Sequence, residues 1–460
     1  MGARRKNALI FAEALLLVAL SSLTASGQSL FEPGARAAGM GGAFVALADD
    51  TSALFYNPAG LAFLKGVHVK ANLLFGVLTT SATWPPTGGT FQSKPLVFRG
   101  SLAMSWQFLK GVSLGVGFFT PYHLDDAWPS GWPGNDIDLT ARLNPTYFRS
   151  VLAVELFKGF SVAAGLDFVS SKLWWTHLIR FPQSPLISKS VFIESRHDLS
   201  GKGTGFTAGL LWKAHRALQV GVKYQSRVPL DFSGRNIFIT PSVEVMADMI
   251  PGPYGRPIRL IEVLNLFYPS QDVTARLTTP KEISAGIKIS PFSGLSFLFD
   301  AQWNRWSEFG RWEIRSENEG ADLSPGFTSL FRGFYGIAPD FGVQSAGLML
   351  KDIWGFKAGV EYRPGTHFAL RGGYARHQAP AAAADLNPVG ADLNQDIVSI
   401  GFGNEGPLYS VFDDRQIGEL SFDLFFRYGF SKKGTSALAG HEFIYEADSW
   451  VGGVGVGFNF

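Results

Sequence analysis

The chain has no cysteine, which excludes disulfides and thiolate metal sites. Charged residues make up only 17% of it, against roughly 25% in ordinary soluble domains. Its net charge of +2 gives no case for nucleic acid as a partner. Past the first residues, no apolar run approaches the roughly 20 residues a membrane helix needs. Motifs for chemistry are equally scarce. Gly39-Met40-Gly41-Gly42 has no strand before it and no βαβ unit around it, and Gly201-Lys202-Gly203-Thr204-Gly205 lacks phosphate-loop spacing. Gly452 to Gly457 has no helix after it to hold a phosphate, and His441-Glu442 lacks the second histidine of a metalloprotease helix. The eight histidines form no ligand cluster. The reading is a protein that is not an enzyme, with no metal and no cofactor.

What the chain does have is glycine (53), phenylalanine (40) and 14% aromatics in 460 residues of slightly positive mean hydropathy. That length would admit two to four soluble domains. Hydrophobicity that is high overall but never concentrated instead suggests strands with one face in lipid and one in water. Val67, Val69, Ala71, Leu73, Phe75 and Val77 alternate with His68, Lys70 and Asn72. Phe98, Gly100, Leu102, Met104, Trp106 and Phe108 alternate with Arg99, Ser101, Ser105 and Gln107, and Val112, Leu114, Val116 and Phe118 follow a tight turn.

The same grammar places strands near 147–156, 160–172, 203–213, 217–228, 280–290, 294–304, 355–363, 367–376, 396–403, 418–428 and 450–460. The expected fold is all-β, a transmembrane antiparallel β-barrel of about 14 strands. Short turns at 109–111, 157–159, 214–216, 291–293 and 364–366 alternate with long loops at 79–96, 121–146, 173–202, 229–279, 305–354, 377–395 and 429–449. Only 404–417 is long where a short turn is due. Strand phase turns Lys70, Arg99, Arg149, Asp167, Lys223, Lys288, Asp300, Lys357, Glu361, Arg371, Asp423 and Arg427 inward.

The amino end reads as an export signal over residues 1–27. Arg4, Arg5 and Lys6 precede the apolar Ala14 to Leu20, and Ala25-Ser26-Gly27 offers small residues for cleavage. Residues 28–66 then form a compact segment rich in Gly and Ala, and 67–460 form the barrel. Within the segment, Asn57-Pro58 is a turn signal, because proline pushes its predecessor out of the α region.

Gly39 to Gly42, Ala48-Asp49-Asp50 and Phe55-Tyr56-Asn57-Pro58-Ala59-Gly60 resemble the N-terminal hatch of the FadL/TodX family of outer-membrane transporters of hydrophobic compounds. Leu277 to Phe309, with Pro280, Trp303, Trp306 and Ser307, is similar to a middle strand pair of that family. Gly359 to Tyr362 and Leu370 to Tyr374 are similar to a late one. The resemblance implies that Gly39, Gly41, Gly42, Asp49, Asp50, Asn57 and Pro58 build a hatch inside the lumen. Asp49, Asp50 and Asn57 would tie it to the wall, with helix-end capping the other reading for the two aspartates.

The resemblance further implies passive uptake of fatty acids or of aromatic or aliphatic hydrocarbons across the outer membrane of a Gram-negative bacterium, with release past the hatch. Leu30 and Phe31 would fill the pocket, and Arg371 would pair a carboxylate ligand. The apolar loop residues Trp174 and Trp175 would capture ligand, unless those loops pack on one another or on the membrane surface. The implied partners are the hydrophobic substrate, outer-membrane lipid and lipopolysaccharide, and the outer-membrane assembly machinery, with the protein a monomer. A structural or secretion-accessory barrel is the rival reading, and a general diffusion porin a third.

Overall fold

The computed structural model describes residues 32–122, 124–181, 191–239, 249–251, 256–259, 262, 270–309, 312–316, 343–346, 350–381, 386, 388, 393–410, 415–438 and 441–460. The signal segment, Leu30 and Phe31 therefore lie outside the described residues.

Fourteen antiparallel staves form a closed ring. They begin with β1 (Val67–Trp84), β2 (Leu96–Leu109), β3 (Val112–Phe119), β4 (Thr146–Phe157), β5 (Phe160–Phe181) and β6 (Val191–His215). Two interrupted staves follow: β7 (Leu218–Gln225, resumed as Val228–Ile239) and β8 (Gln271–Thr279, resumed as Glu282–Phe292). The rest are β9 (Leu295–Asn304), β10 (Ile353–Tyr362), β11 (Phe368–His377), β12 (Gln395–Tyr409), β13 (Gln416–Ser431) and β14 (His441–Asn459). β14 pairs with β1 from His68↔Asn459 to Thr83↔Ile444, which shuts the ring. Phe460 completes the seam by exchanging both main-chain hydrogen bonds with Val67, at 3.0 and 2.8 Å.

The alternation has the expected phase. Phe75, Phe98, Leu102, Met104, Trp106, Leu114 and Phe118 are exposed on the outer face, where lipid replaces water. Of the twelve charged residues assigned to the lumen, Lys70, Arg149, Asp167, Lys223, Asp300, Glu361, Arg371, Asp423 and Arg427 are buried inside the ring, and Arg99, Lys288 and Lys357 are half-buried there.

Several segments expected as loops are strand. β5 and β6 stay paired to Phe181↔Val191, so most of 173–202 is a hairpin continuing the wall. β7 and β8 likewise take up both ends of 229–279. Their outer faces carry Asp231 with Arg276 at 2.5 Å and Arg235 with Asp272 at 3.4 Å, all exposed. Charged outward positions mean this part of the wall stands in water, so the apolar-out pattern that marks a membrane strand in the sequence is missing there. The connection 404–417 is also shorter than expected. β12 and β13 pair down to Tyr409↔Gln416 and Ser410 N–H donates to the Arg415 carbonyl at 2.8 Å, which leaves a short turn.

Beside β2 the wall is incomplete among the described residues. β2 pairs with β1 along Leu96–Ser101, but β3 covers only Leu102–Leu109. After Phe119 the chain leaves the ladder and re-pairs as Leu124–Ala127 with Thr140–Leu143. Thr140–Leu143 then joins β5 through Leu143↔Leu173. Among the described residues no strand pairing joins Leu96–Ser101 to Leu124–Ala127. Arg99 Nη2 to Asn144 Oδ1 (2.7 Å) and Ala127 N–H to Ser93 Oγ (3.0 Å) span the break.

Candidate functional site

Residues 32–66 fill the bore. They form two short helical turns, α1 (Ala35–Ala38) and α2 (Ala53–Tyr56), and a 3₁₀ segment Pro58–Phe63. Nothing so short holds itself in helical form in isolation. The barrel supplies what the segment lacks. Its main-chain groups are satisfied by wall side chains, because an unpaired buried polar group costs about 1–3 kcal/mol. Asp300 accepts from the Phe44 and Val45 N–H groups at 2.7 and 2.9 Å. Asn72 Oδ1 accepts from Ala35 N–H at 3.0 Å and Ser399 Oγ from Gly41 N–H at 2.9 Å. Arg427 Nε donates to the Ala38 carbonyl (2.9 Å), Arg149 Nη1 to Leu54 (3.0 Å) and Ser161 Oγ to Ala59 (2.8 Å).

Asn57 works in both directions. Its Nδ2 donates to the Val45 and Leu210 carbonyls, both at 2.9 Å, and its Oδ1 caps Ala59 N–H at 3.2 Å. Pro58 sits at the start of the 3₁₀ turn, where its missing N–H is not needed.

Glycines on the lumen face let the two backbones touch. Gly221 faces Gly286 across β7–β8, and Gly359 faces Gly373 across β10–β11. A Cβ on Gly373 would lie 2.1 Å from Gly41 N, and one on Gly221 2.4 Å from the Val45 carbonyl. Gly41 itself has φ +68°, a conformation that side chains resist. Gly39 lies against Gly401, and Gly42 beside Glu32.

A closed ring of alternating charge bolts the segment down. Arg36 binds Glu361 at 3.0 Å, Glu361 binds Arg371 at 2.8 Å, and Arg371 binds Asp423 at 2.7 Å. Asp423 binds Lys70 at 2.8 Å, Lys70 binds Asp50 at 2.7 Å, and Asp50 returns to Arg36 at 3.9 Å. Three cations and three anions cancel, which is the condition for burying charge. Burial alone would push the Asp50 carboxyl up, but Lys70 and Arg36 hold it at about 2. Asp50 thus reaches the wall. Asp49 stays within the segment and pairs with Arg36 at 2.7 Å. Arg371 spends its guanidinium on this ring and does not line the chamber described next.

That chamber is a cavity of about 60 Å³ between the segment and the wall. Glu32, Gly41 and Phe55 form its floor, and Pro121, Tyr122, Trp306 and Lys357 are among its walls. Lys357 pairs with Glu32. Pro121 and Tyr122 belong to the stretch where β3 leaves the ladder, so the chamber and the break in the wall share a border. A larger groove, about 590 Å³, lies on the outer face where Ala285, Ala301 and Ala358 sit between Phe299 and Phe356. It faces lipid and does not bear on passage through the bore.

Trp175 is buried on the inward-facing phase of β5, stacked on His177 at 4.2 Å and His197 at 5.0 Å, and does not line the chamber. Trp174 is half-buried on the opposite face of β5, under the Arg196 guanidinium at 5.5 Å. Sequence reasoning missed Glu32 and Arg36, and also the wall glycines. Glycines recurring at inward positions on neighbouring staves are the available signal, but they line up only once the register is known.

A closed fourteen-stave barrel with an apolar belt, corked by its own amino-terminal segment, defines an outer-membrane transport barrel. The chain belongs to the outer membrane protein transport protein family (OMPP1/FadL/TodX), whose model matches residues 16–460. It is 26% identical over 277 residues to outer membrane protein P1 of Haemophilus influenzae, covering 50% of this chain and 60% of that protein. Over 248 residues it is 27% identical to a 47 kDa outer membrane protein of Pasteurella multocida, covering 49% and 55%. The match thus spans little more than half the length of these curated relatives. A solved Pseudomonas aeruginosa FadL homologue superposes with a TM-score of 0.73 at 16% identity, covering 96% of this chain and 100% of that one. The P. putida toluene transporter TodX does so at 0.68 and 15%, covering 94% and 99%. The protein is an outer-membrane barrel of a Gram-negative bacterium and not an enzyme.

Proposed function

We propose that the protein admits hydrophobic molecules passively, from the cell exterior to the chamber over the hatch and then sideways into the membrane. The observation that carries this reading is the border shared by the chamber and the wall break at Pro121 and Tyr122. Release past the hatch, the route the family resemblance implies, requires parting the ion ring, whose buried charges would each lose a partner held in a water-poor site. A sideways exit breaks no strand ladder, and the molecule leaves a chamber of mixed lining, with Phe55, Pro121, Tyr122 and Trp306 on its apolar side, for apolar lipid. With no energy source in the barrel, the cheaper route is preferred.

The present chamber is far below the roughly 300–1,000 Å³ of ordinary ligand sites. It represents the closed state, and Tyr122 and Trp306 swing aside as ligand enters. Trp175 lies on the path down from the outside. Fatty acids and aromatic or aliphatic hydrocarbons form the proposed substrate class. Trp174 and Trp175 are the proposed capture residues.

Uptake of labelled oleate and labelled toluene by cells with and without the chain tests the proposal. Saturable uptake that depends on the chain is expected. Absence of uptake and binding, together with a secreted protein co-purifying with the barrel, would transfer the assignment to a secretion-accessory role.

A further inference from the structure

The outer part of the β5–β6 hairpin holds a small polar group in an otherwise apolar wall. Strand register sets its inward face out in rows. One row is Leu173, Leu199 and Val273, all buried. The next, two residues further out, is Trp175, His197, Asn236 and Gln271, also buried. His177 and Ser195 follow, and Ile179 with Ile193 then closes the patch with aliphatic side chains. Arg235 and Asp272 pair on the outward face beside Asn236 and Gln271, so this part of the wall stands clear of the lipid. No charged side chain stands in these inward rows, so nothing in them recognises a carboxylate or an ammonium group.

Trp175, His177 and His197 form one flat stack. Their centroids lie 4.2, 5.0 and 5.7 Å apart, and their planes are within 24° of parallel. His177 is more than nine-tenths buried, and its Nδ1 has no hydrogen-bond partner among the described residues. Its register partner Ser195 is engaged elsewhere, donating from Oγ to Asn236 Oδ1 at 3.0 Å. Burial, and after it the His197 ring, lowers His177 to about 3, so at neutral pH it is an uncharged imidazole. A buried polar atom left bare is costly, and a partner of the right shape removes that cost. We infer that this stack recognises an aromatic ring bearing a hydroxyl group, the ring lying against Trp175 and the hydroxyl bonded to His177 Nδ1. The inference rests on the inward route past Trp175 and narrows its cargo to phenol-type molecules over fatty acids and plain hydrocarbons. A hydroxyl both donates and accepts, so it satisfies either tautomer of the histidine. A hydrocarbon of the same size stacks equally well but leaves the nitrogen bare, and a site built to bond a hydroxyl discriminates against the analogue without one. The stack is covered in this closed form, as the chamber is.

Phenol and toluene are close in size and differ in the hydroxyl. Equilibrium dialysis of the full chain in detergent micelles against each labelled compound, with protein-free micelles as the blank, reads both affinities. The parent should bind phenol more tightly than toluene by about tenfold. His177→Phe keeps a flat ring and removes the nitrogen. It should lose about tenfold in phenol binding and bind toluene at least as well as the parent. Trp175→Leu should weaken both. If His177→Phe does not assemble, judged by heat-shifted gel mobility, the parent's preference for phenol decides alone. Equal affinity of the parent for the two compounds, phenol binding untouched by His177→Phe, or an equal loss of both in that variant would overturn the site. Uptake by cells separates the site from the channel. Chain-dependent uptake of toluene beside equal affinities removes only the site, and tight phenol binding without uptake of any labelled compound removes only the channel.

Discussion

Arg36 of the hatch and Glu361 of β10 meet in a two-pronged pair, Nε to Oε2 and Nη2 to Oε1, both at 3.0 Å. The two residues are 325 positions apart, so the contact exists only when the barrel has closed around its own amino end. Glu361 also receives Arg371 at 2.8 Å and Arg363 at 3.1 Å. Its loss therefore leaves three guanidinium groups facing one another. Arg36→Met, by contrast, leaves Glu361 paired with two arginines.

The first prediction follows from that asymmetry. Glu361→Gln should destabilise the seated hatch by about 3–5 kcal/mol, and Arg36→Met by less. Conductance of single channels in planar bilayers reads the difference. Glu361→Gln should leak small ions and the parent should not. Equal leak from both variants would show that the ring does not hold the hatch.

Acid should act at Asp50. Burial raises its carboxyl, but Lys70 and Arg36 outweigh that and hold it at about 2, against 3.8 for a free aspartate. A carboxyl depressed on folding stabilises the seated state fully above its free value and loses that contribution as pH falls toward its folded value. The gap is worth roughly 2 kcal/mol. Hydrogen exchange of hatch amides should stay slow down to about pH 4 and rise between 4 and 2. Asp50→Asn should show the faster exchange already at neutral pH. A rise centred above pH 5 would place the titrating group elsewhere.

Backbone contact in the seat yields a third test. Gly373→Ala puts a Cβ 2.1 Å from Gly41 N, and neither backbone has room to move. The outward-facing Gly100→Ala meets nothing nearer than 3.6 Å. The first variant should lose heat-shifted gel mobility or assemble with its hatch unseated, readable as protease cleavage within residues 32–66. The second should behave as the parent. A normal, protease-resistant Gly373→Ala barrel would mean that hatch and wall do not touch there.

The barrel was legible because lipid enforces a rule at every second residue. Phe98 to Phe108 on β2 can be read without a structure, and so can the inward phase of Arg149 and Asp167. Above the membrane the rule lapses. Asp231, Arg235, Asp272 and Arg276 face outward on paired strands, yet in the sequence they read as loop. The hatch box was legible by resemblance, but its partners were not. Arg371, one of several inward cations, reads as the partner of a carboxylate ligand because it falls in a strand that resembles the family's. Only the register of β10, β11 and β13 shows that Glu361 and Asp423 already occupy it. The wall break was hidden for a similar reason. Asn144-Pro145 and Pro121 look like ordinary turn residues until the missing partner of Leu96–Ser101 is seen.

That break supplies the last prediction, and the absence of cysteine makes it clean. Ala127 N–H already meets Ser93 Oγ at 3.0 Å, so Ser93→Cys with Ala127→Cys sets two thiols within bridging reach across the break. The reduced pair should transport as the parent does. Oxidation should stop uptake of labelled hydrocarbon, and a reductant should restore it, because the stapled edge can no longer part from Ser93, which precedes β2 and pairs with Thr80 of β1. Each single-cysteine variant controls for the thiol itself. If the bridge forms in full, verified by mass, and uptake continues at the parental rate, the sideways exit is wrong and the cargo leaves past the hatch. In that case Glu361→Gln, which loosens the hatch, should speed uptake. If the sideways route is right, the same substitution should raise the ion leak and leave hydrocarbon uptake unchanged.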